Sequence, residues 1–152
     1  MPVDASAVGH ALAPSPVYEV GREVLRDFAE ATAAGSPVHP AHTDPAAARA
    51  LGHPDVIAPP TFAVVVAQRA EAAFVADPAS GVDFSRVVHG EQRFTHHRPI
   101  RAGDRLVATA VIDAVRTVAG NDMLTTRVDL ATEDGEPVCR TSAMLVARGA
   151  AT

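Results

Sequence analysis

The sequence predicts an α+β fold in which an antiparallel sheet packs against one buried helix. Two observations indicate this class. Residues 21–76 contain two long segments with helical periodicity, whereas the hydrophobic residues that follow Asp83 alternate with a period of two. Short turns between the alternating segments favour consecutive antiparallel strands rather than parallel units with intervening helices.

The N-terminal part predicts an arm, a short strand and a first helix. Residues 1–16 are rich in Ala and Pro, which favours an extended arm, and residues 18–20 form a candidate strand. A helical pattern begins at Gly21. Its apolar stripe comprises Val24, Leu25, Phe28 and Ala31.

A loop and a short second helix come next. Residues 33–42 include two prolines and a glycine, so they predict an ordered loop rather than a continuing helix. Asp44 is a favourable N-cap and Pro45 suits the first helical position, while Gly52 is a typical residue after a helix end.

The next helix is predicted over Pro60–Ala76. Its first half, Phe62–Ala67, is apolar on every side. A helix without a polar face is normally enclosed by other structure, so we expect the sheet to surround it.

Four later segments predict strands, and Ala119–Asp122 and Glu133–Glu136 predict the turns of two hairpins. A curved sheet around one hydrophobic helix is the hot-dog architecture. We therefore expect a single hot-dog domain over residues 1–152. The predicted strands are Arg86–His97, Arg105–Val118, Met123–Ala131 and Val138–Ala147.

Composition excludes several functional classes. Of the 152 residues, 47% are hydrophobic and 20% charged, which is typical of a globular protein, and the net charge of −5 disfavours nucleic-acid binding. The longest apolar runs are too short to span a bilayer, and no secretion signal opens the chain. The single cysteine, Cys139, cannot form an internal disulfide, so we expect a cytoplasmic protein.

Four segments, in this order and spacing, resemble the MaoC-like family of hot-dog (R)-enoyl-thioester hydratases and 3-hydroxyacyl-thioester dehydratases. The similarity is greatest to the small dehydratase subunits that pair with a MaoC-like partner in fatty-acid and polyketide pathways. The resemblance implies a substrate carried on the phosphopantetheine of acyl carrier protein or CoA, with no other cofactor. The segments are Phe28–Ala31, Thr43–Gly52, Val56–Phe62 and Pro99–Asp104.

The resemblance also implies a catalytic signature, Gly-Asp-x-Asn-Pro-apolar-His, in the loop after the first long helix. Aligned on Pro40-Ala41-His42, the chain has His42 at the histidine position. Pro37 stands at the aspartate position and His39 at the asparagine position, so half of the acid–base dyad is missing. The resemblance makes His42 the candidate catalytic residue, and His39 is the alternative. The competing interpretation of His42 is a loop histidine without a catalytic role.

A second departure affects transition-state stabilisation. Active relatives place His-Gly before the central helix, where the glycine N–H stabilises the enolate-like oxygen, an interaction worth roughly 3–4 kcal/mol. Pro59-Pro60 stands there in this chain, and proline has no N–H. Thr61 N–H substitutes only if the helix start shifts. Thr61 and Phe62 are expected to contact the acyl thioester, and Phe62–Val66 to line an acyl tunnel.

Other candidate groups have weaker claims. Arg98 lies in a basic cluster that suits a phosphate or an acidic carrier, although charged residues that protect a sheet edge give the same pattern. Glu71 lies about three turns into the central helix, where a solvated or interface role is expected. The His39-x-x-His42 pair lacks the further ligands of a zinc site, so no metal is expected.

Three functional hypotheses follow. The first is a subunit of a (3R)-3-hydroxyacyl-thioester dehydratase that shapes the acyl tunnel, while a MaoC-like partner supplies the complete dyad in a heterodimer. The second is a self-sufficient homodimeric dehydratase or thioesterase that uses His42 or His39. The third is a non-catalytic acyl-binding or scaffolding protein.

Overall fold

A computed structural model of the chain describes residues 3–148, so Met1, Pro2 and the last four residues of the predicted domain lie outside it. The helices are α1 (Arg22–Thr32), α2 (Pro45–Ala50) and α3 (Ala63–Ala76). The strands are β1 (Tyr18–Glu19), β2 (Val87–His96), β3 (Arg105–Val118), β4 (Asn121–Thr132) and β5 (Pro137–Ala147).

Within residues 3–148, the five strands form one antiparallel sheet in the order β1-β3-β4-β5-β2. Each of the four predicted long strands is present, with ends within two residues of the prediction. Side chains alternate along β4, where Leu124, Thr126, Val128 and Leu130 are buried. This alternation is the one that the period-two pattern predicts, because successive strand residues face opposite sides.

Helix α3 lies across the inner face of the sheet and contacts β3, β4 and β5. Phe62, just before the helix, and Val66 and Ala70 within it are buried in the main core. The predicted hot-dog architecture is therefore confirmed. The helix starts at Ala63 rather than at Pro60, because the preceding residues form a turn in which Phe62 N–H donates to Pro59 O (3.0 Å).

The short elements follow local rules of capping. The Asp44 side chain accepts a hydrogen bond from Ala46 N–H (2.8 Å), which confirms it as the N-cap of α2. Gly52 follows that helix with φ of +90°, a conformation that favours glycine. Helix α1 buries Leu25 and Ala29, whereas Ala31 of the predicted stripe is exposed.

The N-terminal arm covers one edge of the sheet. After a short 3₁₀ turn at Ala5–Ala7, it runs beside β3, where Gly9 N–H donates to Ile112 O and Leu12 N–H donates to Ala110 O. Ser15 N–H donates to Ala108 O, and Ala108 N–H donates in return to Ser15 Oγ. The arm and β1 thus satisfy much of the outer side of β3, while β2 forms the opposite edge.

Candidate functional site

The predicted catalytic loop is a tight 3₁₀ turn, Pro40–His42, that follows α1. His39 caps this turn, because its Nδ1 accepts a hydrogen bond from Ala41 N–H (3.2 Å). Two contacts from elsewhere in the fold hold the loop. Ile57 N–H donates to Ala41 O (3.0 Å), and Arg26 Nε donates to Thr43 O (2.8 Å).

The imidazole of His42 is oriented by a backbone carbonyl. Its Nδ1 lies 2.7 Å from Ile57 O, and since a carbonyl only accepts, this nitrogen carries the proton. The neutral ring then has its lone pair on Nε2, the state that a general base requires. Among the described residues, no carboxylate forms a hydrogen bond or an ion pair with this ring. The structure therefore holds the orientation of His42 without the negative partner that would stabilise the charged imidazolium.

His42 lines a cleft of about 410 Å³ beside the N-terminal end of α3. His96 closes another side, where its Nε2 lies 2.8 Å from Pro60 O. The remaining lining residues come from the two segments that flank the central helix and β2: Ile57, Ala58, Pro59, Pro60, His97, Arg98, Pro99 and Ile100. The cleft is mainly apolar with imidazoles on two sides.

The alternative base, His39, is absent from the lining of this cleft, and its ring centroid lies 5.9 Å from that of His42. Its exposed side chain already caps the 3₁₀ turn. The structure thus brings the two imidazoles close together but places only His42 at the cleft.

Phe62 is fully buried and belongs to the aromatic core. Its ring makes edge contacts with Tyr18 (6.2 Å) and Phe28 (5.3 Å). Ala63 and Val66 are also fully buried, whereas Val64 and Val65 are half-buried, so most of the predicted tunnel wall lies in the packed core around the start of α3. The contact of Phe62 with an acyl thioester stays a prediction.

Thr61 is exposed at the turn before α3 and does not line the cleft. Its backbone N–H donates to no other described residue. The condition for a substitute oxyanion donor, a shifted helix start, is met because α3 begins at Ala63 rather than at Pro60. The donor role of Thr61 N–H itself stays a prediction.

Arg98 borders the cleft, but its guanidinium is engaged by two carboxylates. Its Nη1 and Nη2 donate to both oxygens of Asp104 (2.9 and 3.0 Å), and its Nε donates to Glu136 (2.8 Å). These hydrogen bonds, those to Asp104 above all, raise the pKa of Arg98. The geometry gives this arginine a structural role at the cleft rim, and its contact with a thioester stays a prediction.

A second cavity of about 560 Å³ lies along the other half of α3, and sequence reasoning missed it. Glu71 lines this cavity, and its expected solvated or interface role stays a prediction. Its carboxylate is half-buried and accepts a hydrogen bond from Thr126 Oγ1 (2.5 Å). Burial raises the pKa of Glu71, and the hydrogen bond from Thr126 offsets part of this effect. No signal in the α3 sequence alone reveals Thr126, which comes from β4.

Residues 3–148 contain neither a metal-binding cluster nor a membrane-spanning helix. No group of three or more His, Cys, Asp or Glu side chains in this range is arranged to hold a metal ion. Over the same residues, no helix combines the length and the apolar character needed to cross a membrane. Cys139 is buried in β5, and this burial raises the pKa of its thiol to about 11.

Comparison with known proteins gives consistent matches over nearly the whole chain. Residues 6–141 match the family model of the FAS1-like dehydratase domain region. A UPF0336 protein of Saccharopolyspora erythraea is 55% identical over 99% of this chain and 95% of its own length.

Two solved structures are similar at 33% identity. One is a chain of the HadBC (3R-hydroxyacyl-ACP dehydratase) complex from Mycobacterium tuberculosis, with a TM-score of 0.81 over 96% of this chain and 99% of that chain. The other is a MaoC-like dehydratase, with a TM-score of 0.84 over 95% of this chain and 43% of that chain.

Proposed function

Because the chain belongs to the FAS1-like dehydratase family of hot-dog proteins, we propose that it is one subunit of a (3R)-3-hydroxyacyl-thioester dehydratase. The proposed enzyme acts on acyl chains carried by acyl carrier protein or CoA in fatty-acid or polyketide biosynthesis. In the reverse reaction it adds water to an enoyl thioester and forms the (R)-3-hydroxyacyl product. This chain contributes acyl-binding surface, and a MaoC-like partner contributes the complete acid–base dyad.

The incomplete chemistry at His42 carries the proposal. Dehydration removes a proton from Cα, passes through an enolate-like thioester and returns a proton to the departing 3-hydroxyl as water leaves. A base oriented only by Ile57 O lacks the charged partner that favours the imidazolium. The Pro59-Pro60 turn also removes two potential N–H donors to the developing oxyanion.

The two edges of the sheet support assembly with one partner. The N-terminal arm occupies much of the outer side of β3, whereas β2 is a ten-residue edge strand with no neighbour on its outer side among the described residues. Val88 on this strand is 46% exposed, and Phe84 just before it is 69% exposed. A long edge with exposed apolar residues favours pairing with another strand. We therefore propose β2 as the contact with the partner subunit.

A related chain that forms part of a complex gives a second line of support for assembly with a partner. The HadBC structure is a complex, and one of its chains is 33% identical to this protein over nearly the full length. Since related chains commonly retain their mode of assembly, a hetero-oligomer is the arrangement we propose here as well.

The test measures hydration of crotonyl and longer trans-2-enoyl thioesters by the purified chain, by a MaoC-like protein that carries the complete dyad, and by the mixture. We expect turnover only in the mixture. His42→Ala in this chain should weaken the activity of the mixture without abolishing it. His10→Ala, which changes an exposed histidine of the arm, serves as the matched control and should have no effect.

Other outcomes select the other hypotheses. Hydration by the chain alone that disappears in His42→Ala or His39→Ala would refute the proposal in favour of a self-sufficient homodimer. Thioester cleavage without hydration would indicate a thioesterase. Stable association with the partner but no turnover would indicate a scaffold.

A further inference from the structure

The second cavity, here called the Glu71 cavity, has the composition of a ligand site. It is separate from the His42 cleft, with which it shares no lining residue. Glu71 lies eight residues after Ala63, the first residue of α3, which corresponds to about 12 Å along the helix axis. The walls come from α3, from β2 and the segment that leads into it, and from β5: Gln68, Glu71, Ala72, Val75, Ala76, Phe84, Val87, His89 and Leu145.

Glu71 is the acidic group in the lining of this cavity, and it is held in place from the sheet. Thr126, which is 2% exposed, donates to Oε1 of the carboxylate. The other oxygen receives no hydrogen bond from a described residue. His89, on β2, is the titratable neighbour that acts electrostatically on Glu71. The arrangement fixes one oxygen and leaves the second available to a ligand.

The chemistry of this oxygen discriminates between ligands. A saturated hydrocarbon that fills the apolar cavity displaces water from the carboxylate and gives no hydrogen bond in return, which is unfavourable. A hydroxyl group at the same position donates to the free oxygen while the rest of the chain contacts Val75, Val87 and Leu145. Most ligand cavities of this size combine apolar walls with a few polar groups that set specificity in this manner.

We propose that the Glu71 cavity is a second binding site for an aliphatic chain that carries a hydroxyl group, and that Glu71 is the residue that selects the hydroxyl. The identity of the natural ligand as part of an acyl chain rests on the proposed function. The selection by Glu71 rests only on the geometry of the cavity. The site therefore favours a hydroxylated chain over a chain of equal size that has no hydroxyl group.

The test compares two isomeric probes, 1-octanol and 1-methoxyheptane, which have the same atoms but differ in the hydrogen-bond donor. Their dissociation constants are measured by titration calorimetry on the isolated full chain at pH 8. We expect the wild-type chain to bind 1-octanol about tenfold more tightly, since a hydrogen bond to a charged group contributes about 1.5 kcal/mol or more and 1.4 kcal/mol corresponds to tenfold.

Two substitutions of Glu71 test its role. Glu71→Leu should reduce the difference between the probes to within twofold, and Glu71→Gln, which keeps an acceptor, should retain a reduced difference of about threefold. If Glu71→Leu does not fold, as judged by circular dichroism, Glu71→Gln decides the result. Glu30→Gln, a change at an exposed carboxylate on α1, is the matched control and should keep the wild-type difference.

A cavity-filling variant locates the binding. Ala72→Trp should abolish binding of both probes, because Ala72 lines the cavity. Three results would overturn the inference: an unchanged probe preference in both Glu71 variants, no binding of either probe to the wild-type chain, or undiminished binding in Ala72→Trp. These measurements use neither partner nor thioester, so their failure is distinct from a failure of the proposed hydration activity.

Discussion

The ion pair at the rim of the His42 cleft gives a sharp test of its structural role. Asp104 is buried and accepts hydrogen bonds from both terminal nitrogens of Arg98 and from Arg101 N–H (2.9 Å). The side chains of Arg98 and Asp104 are only 15% and 7% exposed. We consider three variants: Arg98→Met, Asp104→Leu and the double substitution.

The expected magnitudes follow from burial. Removing one partner of a buried ion pair costs about 3–5 kcal/mol, because the other charge stays desolvated. Asp104→Leu should cost less, about 2 kcal/mol, since Arg98 keeps its hydrogen bonds to Glu136. Arg98→Met should cost about 3 kcal/mol, because Asp104 keeps only weaker partners. The double variant should lose less than the sum, with a coupling free energy of about 2 kcal/mol.

Urea unfolding followed by circular dichroism gives the four free energies of this cycle. The exposed pair Arg140 and Asp129, with side chains 51% and 43% exposed, provides a matched control with similar bidentate geometry. The double-mutant cycle of this exposed pair should give a coupling free energy of about 0.5 kcal/mol or less. Equal coupling in the two cycles would refute the argument that burial makes the Arg98 pair structural.

Three further predictions concern titratable groups. Hydrogen bonds from Arg22 lower the pKa of Asp55 to about 2 from 3.8, so stability present above pH 3.8 is lost as the pH falls toward 2. Because Arg22 is exposed, the loss should be about 1 kcal/mol, and Asp55→Asn should not show it in urea titrations. Burial raises the pKa of Glu71 above 4.5, so the folded chain binds more protons than the unfolded chain does. The free energy of unfolding should therefore decrease as the pH rises from 4.5 through the pKa of the folded chain. Glu71→Gln should not show this decrease in urea titrations. The pKa of about 11 for the Cys139 thiol predicts alkylation by iodoacetamide at pH 8 at least about tenfold slower in the folded chain than in urea; equal rates would contradict its burial.

The elements with a strong hydrophobic period could be predicted from the sequence. Strand β4 is an example, since its alternation fixes which side chains face the core before any partner strand is known. The apolar first half of α3 likewise predicts enclosure by a sheet. The sequence predicts the start of α3 three residues too early, because Pro59-Pro60-Thr61 is compatible both with a helix start and with the turn that the structure contains.

The candidate sites depended on contacts that no local pattern contains. His42 was found through its position in a family signature, but its orientation depends on Ile57 O, fifteen residues away. The carboxylates that engage Arg98 include Glu136, thirty-eight residues away. The placement of Glu71 depends on Thr126 in β4. Helical periodicity places Glu71 on α3 but does not indicate that a neighbouring strand offers it a hydroxyl.

The arm along β3 has a consequence for the size of any assembly. A sheet that exposes pairing groups on both sides is a repeating unit, and copies of it add without end into filaments. Because its N-terminal arm covers much of one side, the chain offers β2 alone for the proposed strand pairing, and the proposed assembly stops after one partner is added. Deleting the arm is expected to free the outer side of β3 for a second pairing, and size-exclusion chromatography should then show species larger than the proposed pair.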